Sequence, residues 1–525
     1  MKILLTTLNA KYIHSNLALK YLYTAASEVK DCLRIQEFSI NQDDDLIYTE
    51  LLRWESDVLC FSCYIWNIER ILYLAETIKK ARPKTLILLG GPEVSFRGEE
   101  ILAQNPSIDL VLCGEAEETF PKLLRVIFAE AGEEHLFTET FSSNTITDFE
   151  KALGYYGVDG LVFRNEGSIV KNTAAEQPDF CKIPFPYQQL PCETDKIVYY
   201  ESSRGCPYGC TYCLSSLDRG VRALPVERVK QDVRYFLYKG IRQVKFLDRT
   251  FNYDAERAYE IFRYLMEIDN KTVNFHFEIC GELMDERSLE LLEKARPGLF
   301  QFEIGVQSTN PETLEAIKRK GNFDKLSSVV RRIREKRNIH LHLDLIAGLP
   351  FEDVEVFHRS FNQVYSLRPD ALQLGFLKLL PGTPIAQNAG EHGYVCRSRA
   401  PYELISNRYL QAKDLLRLKM IEKVFDLYYN RGGFEKTLEA FTEEIFGDAF
   451  SFYEEFADFY YKNGFQDRSQ SKENQYRILR QYSSSFEKEN PEAAETLYAF
   501  LEQDLKETMN PDAVKKFVKQ GWALA

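Results

Sequence analysis

No apolar run in the 525-residue sequence approaches the ~18 residues that a membrane-spanning helix needs. The opening stretch Met1 to Asn9 is too short for a signal peptide and alternates like a β-strand, so no membrane partner and a cytoplasmic location are expected. Positive charge is scarce as well. The net charge is −13, and from Pro401 onward 17 Lys and Arg face 22 Asp and Glu. Binding nucleic acid through its phosphates needs clustered cations, so no nucleic-acid partner is expected. Eleven cysteines, an odd number at irregular spacing, make no secreted disulfide framework. They suit a reduced chain with some thiols given to metal. No internal repeat or low-complexity tract is present. What remains is 45% hydrophobic and 13% aromatic, enough for about three domains.

Short apolar runs at Ile3–Leu8, Leu33–Ile40, Asp57–Tyr64, Thr85–Gly90 and Ile108–Cys113 alternate with amphipathic stretches such as Ile68–Ala81. That order predicts a doubly wound, Rossmann-like α/β domain over 1–133. A linker over 134–191 follows, with a hairpin turning at Asn165–Gly167 and prolines at 178, 184, 186 and 191. A second α/β series covers 192–400, its strands at Ile197–Glu201, Gln243–Leu247, Asn274–Ile279, Phe300–Val306, His340–Ala347 and Ala371–Leu377. Six parallel strands make a partial, TIM-like (β/α)6 barrel rather than a closed eightfold one. From Pro401 the strands are expected to stop, leaving an all-α, Phe- and Tyr-rich domain over 401–525.

The strongest chemical signal follows the first strand of the second series, at Arg204-Gly-Cys206-Pro-Tyr-Gly-Cys210-Thr-Tyr-Cys213. Three thiols within eight residues, on a loop opened by Gly205, Pro207 and Gly209, can converge on one metal centre. An iron–sulfur cube usually takes four cysteines; three supplied locally leave one iron open. A structural zinc site is the alternative, but zinc sites pair C-x2-C with a second pair or with histidines, and no such partner lies nearby. The strand-end position also suits chemistry, which barrels gather at that face.

C-x3-C-x2-C after the first strand of a six-strand partial barrel resembles the radical S-adenosylmethionine (SAM) superfamily. The resemblance implies a 4Fe–4S cluster on Cys206, Cys210 and Cys213, whose open iron chelates SAM and whose electron releases a 5′-deoxyadenosyl radical. It places Tyr212 beside the adenine. Phe246-Leu-Asp248-Arg-Thr-Phe-Asn resembles the second-strand segment facing the SAM amino group, although an acidic pair or Gly-Gly-Glu is commoner there. Glu303-Ile-Gly-Val-Gln307-Ser308 resembles the segment meeting ribose and methionine. Arg319 matches a partner of the SAM carboxylate, and Leu345-Ile-Ala-Gly348-Leu-Pro350 the segment under the adenine.

In the first domain, Phe61-Ser62-Cys-Tyr64-Ile-Trp-Asn67, Leu88-Leu-Gly90-Gly91-Pro92-Glu93 and Val111-Leu-Cys-Gly114-Glu115-Ala-Glu117 lie at strand ends, where doubly wound sheets bind ligands. Together they resemble the cobalamin-binding domain that precedes many radical enzymes, which implies cobalamin contacts at Ser62, Tyr64, Asn67, Gly90, Gly91, Pro92, Gly114 and Glu115. The cobalt-ligating pattern Asp-x-His-x-x-Gly is altered around His14, with Tyr12 for Asp and Leu17 for Gly. His14 is therefore expected to cap an element or meet the nucleotide tail rather than bind cobalt. Cys60 and Cys63, three apart on a strand, are expected on opposite faces as packing residues. His276, His340 and His342 are expected to line the barrel.

The two resemblances cover about residues 1–385 and imply a cobalamin-dependent radical SAM enzyme. It would methylate an unactivated carbon of a substrate the sequence does not name and draw electrons from a flavodoxin- or ferredoxin-type donor. Two alternatives stay open: radical cyclisation, oxidation or rearrangement without methyl transfer, and a corrinoid sensor or carrier with an inactive barrel.

Overall fold

A computed structural model describes residues 1–132, 154–218, 220–488 and 490–520. The first part of the linker, residues 134–153, lies outside them.

The amino-terminal strands β1 (Ile3–Asn9), β2 (Leu33–Ser39), β3 (Val58–Ser62), β4 (Leu86–Gly90) and β5 (Leu110–Leu112) are parallel, in the order β2-β1-β3-β4-β5. Alternate residues feed separate cores on the two faces. Leu4, Leu8, Phe61 and Cys63 enter one, and Ile3, Leu5, Leu88 and Cys60 the other. Cys60 and Cys63 are thus apart, and burial pushes both thiols up, away from ionisation. The hairpin β6 (Leu161–Asn165) and β7 (Ser168–Lys171) extends this sheet antiparallel beyond β5. Its place in the sheet comes from register rather than from its own turn: Leu161 to Phe163 pair with Leu112 to Leu110.

The second unit is an open barrel of six parallel strands: β8 (Val198–Tyr200), then β11 (Gln243–Phe246), β12 (Asn274–Ile279), β13 (Phe300–Gln307), β14 (His340–Ala347) and β15 (Ala371–Phe376). Between β8 and β11 stands an antiparallel pair, β9 (Ser203–Cys206) and β10 (Gly220–Ala223), which the sequence pattern did not announce. Helices cover the outside. Val226–Tyr238, for example, buries Val229, Val233 and Phe236.

The carboxyl-terminal region is helical, as expected, with one exception. A short pair, β16 (Val395–Cys396) and β17 (Leu404–Ser406), straddles the point where strands were expected to end. The helical part shares one continuous core with the barrel. Phe361 of the helix Val354–Tyr365 packs edge-on against Phe425 (5.3 Å), Phe450 (5.6 Å) and Tyr453 (6.1 Å). Among the described residues no helix is long and apolar enough to cross a membrane.

Ion pairs dock the first domain on the barrel. The Arg204 guanidinium, buried between the two, meets Glu115 (2.7 Å), Glu117 (2.6 Å) and Glu201 (2.9 Å), and stacks near Phe180 (4.7 Å) and Tyr21 (5.0 Å). Arg222 grips the other oxygen of Glu115. Nearby, Ile197 N–H donates to Ile13 C=O (2.9 Å), and His14 pairs with the Tyr199 hydroxyl. His14 therefore lies at the docking seam, and the following helix is capped by Asn16 instead.

Arg204→Met leaves the partly buried Glu117 and Glu201 without their cation and Glu115 with Arg222 alone. Removing one partner of a buried ion pair typically costs about 3–5 kcal/mol. The expected outcome is a lower denaturant midpoint for the first unfolding transition; a midpoint equal to the parent's would show that the pair network contributes nothing to docking.

Candidate active site

The cysteine loop leaves the carboxyl end of the barrel through β9. Gly205 has φ +88°, and a Cβ there would collide with the Gly220 carbonyl across the ladder, so the approach to Cys206 requires glycine. Beyond it, Cys213 N–H donates to Cys210 C=O (3.1 Å) and Ser216 Oγ donates to Cys213 C=O (2.7 Å), closing a tight turn. Thr211 N–H reaches Ile317 C=O and its own C=O accepts from Ile385 N–H, both at 3.0 Å. The loop is thereby stitched to segments that follow β13 and β15.

Three thiols on one loop suit a cube, which binds each cysteine to a different iron. All three cysteines are free of disulfides. Burial pushes the Cys210 thiol up, while Arg319 opposes that shift by its charge and a hydrogen bond. A cation placed against a ligand thiol favours the thiolate that iron needs.

The residues predicted around SAM fall into two groups. Tyr212, Arg319, Gln307 and Gly348 cluster near the loop or at the strand ends beside it. Tyr212 hydrogen-bonds with Cys210 and lies close to Arg319, which itself donates to Gly305 C=O. Gln307 takes a left-handed φ of 72° where the β13–β14 register slips, the kind of local strain that marks functional sites. Asp248 and Ser308 do not join them. The Asp248 carboxylate is buried and accepts from Ser202 N–H (2.7 Å), Ser202 Oγ (2.5 Å) and Ser203 Oγ (2.7 Å). It anchors the strand end instead of facing an amino group. Ser308 is buried too, donating to Glu352 (2.5 Å) and accepting from Asn310 N–H (3.1 Å).

The predicted cobalamin residues divide likewise. Gly91 has φ +105°, and a Cβ would stand 2.6 Å from Cys63 C=O, so the loops after β3 and β4 touch backbone to backbone. Gly114 is exposed with open space around it, its N–H donating to Ser95 Oγ (3.2 Å). Gly90 lies between them at the end of β4, and Pro92 is exposed. Trp66 (44% exposed) stacks on Tyr64 at 4.5 Å, and Phe96 is 48% exposed. A glycine floor flanked by exposed aromatic faces fits a large flat ring such as a corrin. Other predicted contacts are engaged within the protein. Asn67 is buried, its amide bonded to Thr7, Leu8, Ser62 and Tyr64. Ser62 is buried at the end of β3, and Glu115 is held by Arg204 and Arg222. These three shape the loops without presenting a free group to a ligand.

The barrel interior holds what the sequence reading largely passed over. Outward positions such as Phe275, Phe302 and Leu343 are apolar, whereas Lys245, His276, Glu278, Glu303, His342 and Asp344 alternate with them and face inward. Glu303 accepts from Lys245 (3.1 Å) and meets His276 Nε2 (3.0 Å). Burial alone would raise its pKa, but these two partners outweigh it and hold Glu303 at about 2. Asp344 goes the opposite way, to about 8, through burial and the charges of Glu303 and Glu278. Its Oδ1 is buried 3.3 Å from His342 Nε2 without a well-formed hydrogen bond, and burial holds His342 below its usual pKa. The signal was present in the period-2 polar stripe at 276/278, 301/303 and 342/344. Of the three histidines, His340 is exposed at the start of β14 and does not line the interior.

Three thiols at the mouth of an open six-stranded barrel, docked on a glycine-floored doubly wound domain, fit a radical SAM barrel behind a cobalamin-binding domain. Comparison with known families agrees. Residues 3–124 match the B12 binding domain, 200–364 the radical SAM superfamily, and 390–522 a protein family of unknown function (DUF4080). The chain thus carries a radical SAM domain with a B12-binding domain ahead of it. These domains bring with them a 4Fe–4S cluster, SAM and cobalamin as cofactors.

Among curated proteins, 2-(S-pantetheinyl)-carbapenam-3-carboxylate methyltransferase of Streptantibioticus cattleyicolor is 27% identical over 66% of this chain and 50% of its own length. The cobalamin-dependent radical SAM methyltransferase TokK of Streptomyces tokunonensis is 25% identical over 63% and 48%. The chain spans about half the length of these two relatives. In overall fold it is similar to the cobalamin-dependent SAM radical enzyme OxsB (TM-score 0.58, 15% identity, covering 100% of this chain and 84% of that one). The methyltransferase TsrM from Kitasatospora setae is similar as well (TM-score 0.58, 16% identity, 78% and 80%).

The folded-state pKa of Asp344 lies above the ordinary carboxylate value, so burying its charge costs progressively more as pH rises from about 4 towards 8. Asp344→Asn removes that cost. The variant is expected to gain stability over the parent between pH 5 and pH 8, read from paired denaturant midpoints. A difference that does not change with pH would show that Asp344 is ionised throughout.

Proposed function

We propose that this protein is a cobalamin-dependent radical SAM enzyme that methylates an unactivated carbon of a small, polar substrate. The observation that carries the reading is the facing of two cradles across an ion-paired seam: the cysteine loop with Arg319 on the barrel, and the glycine loops after β4 and β5 on the first domain. In this reading Cys206, Cys210 and Cys213 hold the cluster. Arg319 meets the SAM carboxylate, Tyr212 and Gly348 flank the adenine, and Gln307 faces the ribose. Gly90, Gly91, Pro92 and Gly114 floor the corrin, with Tyr64 at its edge. When bound, these groups supply one-electron cleavage of SAM and a carried methyl group; the chain supplies placement and electrostatics. Lys245, His276, Glu303 and Asp344 give the substrate an interior of hydrogen-bonding groups. The protonated Asp344 can donate to a substrate oxygen or nitrogen. A low-potential flavodoxin- or ferredoxin-type protein would supply the electrons.

Full-length protein purified without oxygen, loaded with iron, sulfide and cobalamin, and reduced with dithionite is expected to convert SAM to 5′-deoxyadenosine and methionine. Cys206→Ala, Cys210→Ala and Cys213→Ala should each abolish the cluster absorbance and reduce cleavage to background. S-adenosylhomocysteine formed alongside 5′-deoxyadenosine would support methyl transfer. Its absence with a cobalamin-loaded protein would favour a radical rearrangement or oxidation. An iron-loaded, reduced protein that never cleaves SAM would leave a corrinoid carrier or sensor.

A further inference from the structure

The carboxyl-terminal family match begins at residue 390 and carries no function. Its first segment does not pack as an appendage. It returns across the barrel mouth and touches both cradles. Tyr402, buried, donates its hydroxyl to Glu93, a buried carboxylate in the glycine loop after β4. Arg97 of that loop lies 3.7 Å from Glu93 and 5.4 Å over the Tyr402 ring. Ala400 packs into the core of the first domain, and Arg399 lies 4.0 Å from Glu69.

Two residues beyond Tyr402 the same ribbon turns to the barrel. Leu404 pairs with Leu377 (N–H to C=O, 2.9 Å) and its side chain lies against Gly348 at the end of β14. Asn407 donates from Nδ2 to Gly348 C=O (2.9 Å). On the other side of the seam Phe96 lies directly over Gly382. On one ribbon, Tyr402 thus bonds to the proposed cobalamin floor, and Leu404 and Asn407 pack on or bond to the proposed adenine seat.

Glu93 is well placed to pass this restraint on. Its N–H reaches Cys63 C=O (3.4 Å), and Ser95 accepts from Gly114 N–H (3.2 Å), so the loops after β3, β4 and β5 are bonded to one another. Burial raises the Glu93 pKa, and the Tyr402 hydroxyl and Arg97 counter that shift. Without them the loop would hold a desolvated carboxylate with no partner from outside its own domain.

We propose that the β16–β17 ribbon at the start of the carboxyl-terminal domain is a spacer that fixes the cobalamin cradle against the SAM cradle, with Tyr402 as its positioning residue. This rests on the cobalamin reading above. Transfer of a methyl group to a carbon activated on the other face demands a set distance between the two, and a ribbon bonded to both supplies it more firmly than a flexible linker.

The test is optical titration of the anaerobic, cluster-loaded full-length protein with hydroxocobalamin, comparing the parent with Tyr402→Phe, Glu93→Ala and Glu93→Gln. Cluster iron per chain reports that each barrel is intact. Losing a hydrogen bond to a charged group predicts cobalamin affinity reduced by about tenfold in Tyr402→Phe and Glu93→Ala. Glu93→Gln, whose amide oxygen still accepts from Tyr402, should retain most of it. Amides of residues 90–97 should exchange faster in Tyr402→Phe. A Tyr402→Phe protein that binds cobalamin like the parent would overturn the spacer inference alone. A parent that binds no cobalamin would overturn the cobalamin reading and the inference with it.

Discussion

Arg204 stands two residues before Cys206, with its guanidinium inserted between Glu201 of the barrel and Glu115 and Glu117 of the first domain. Its planar fork presents five donors in fixed directions, against a lysine's three on one nitrogen. The position matters more than the number of bonds. The chain that carries Arg204 is the strand leading into Cys206, so the residue that docks the two domains also sets where the cysteine loop begins. Directional ion pairs fix orientation better than an apolar patch of equal area, because a small rotation breaks them. Arg204 and Glu117 are largely buried and Glu115 and Glu201 partly so, and Glu115 is shared with Arg222, so Glu117 and Glu201 are the carboxylates that depend most on Arg204.

The barrel departs from the usual parallel sheet, whose strands are apolar on both faces. Here the outer face packs under helices while the inner face carries Lys245, His276, Glu303, His342 and Asp344. An apolar interior would collapse and fill the open barrel. Charged and hydrogen-bonding side chains resist that collapse and hold space for a polar molecule. Within this interior, protonation is divided. Glu303 keeps its charge beside Lys245 and His276, whereas Asp344, crowded by two other carboxylates, holds a proton near neutral pH. A fixed anion and a fixed acid side by side give the cavity both an acceptor and a donor.

The carboxyl-terminal domain shares the barrel's core through Phe361, Phe425, Phe450 and Tyr453. Such a shared core makes it part of the catalytic body rather than a tethered module. Its first ribbon reaches the first domain as well, so the three units form a closed circuit: first domain to barrel through Arg204, barrel to helices through the aromatic core, helices back to the first domain through Tyr402.

The features legible without coordinates were those written within a few residues of one another. The cysteine spacing, the order of strands and helices, and the opposite facing of Cys60 and Cys63 all follow from local periodicity and chain stiffness. Loop motifs were legible as motifs, yet not by role. Asp248, Ser308, Asn67 and Glu115 occupy the expected strand ends, but their polar atoms are taken by partners that only the fold brings near. His14 faces Tyr199, 185 residues away, and Glu93 meets Tyr402, 309 residues away. By itself the sequence determined which chemistry the chain can hold, because three cysteines on a glycine-opened loop need only short-range geometry. Tertiary structure decided which side chains remain free to use it, because a polar group's availability depends on whether folding has already given it a partner.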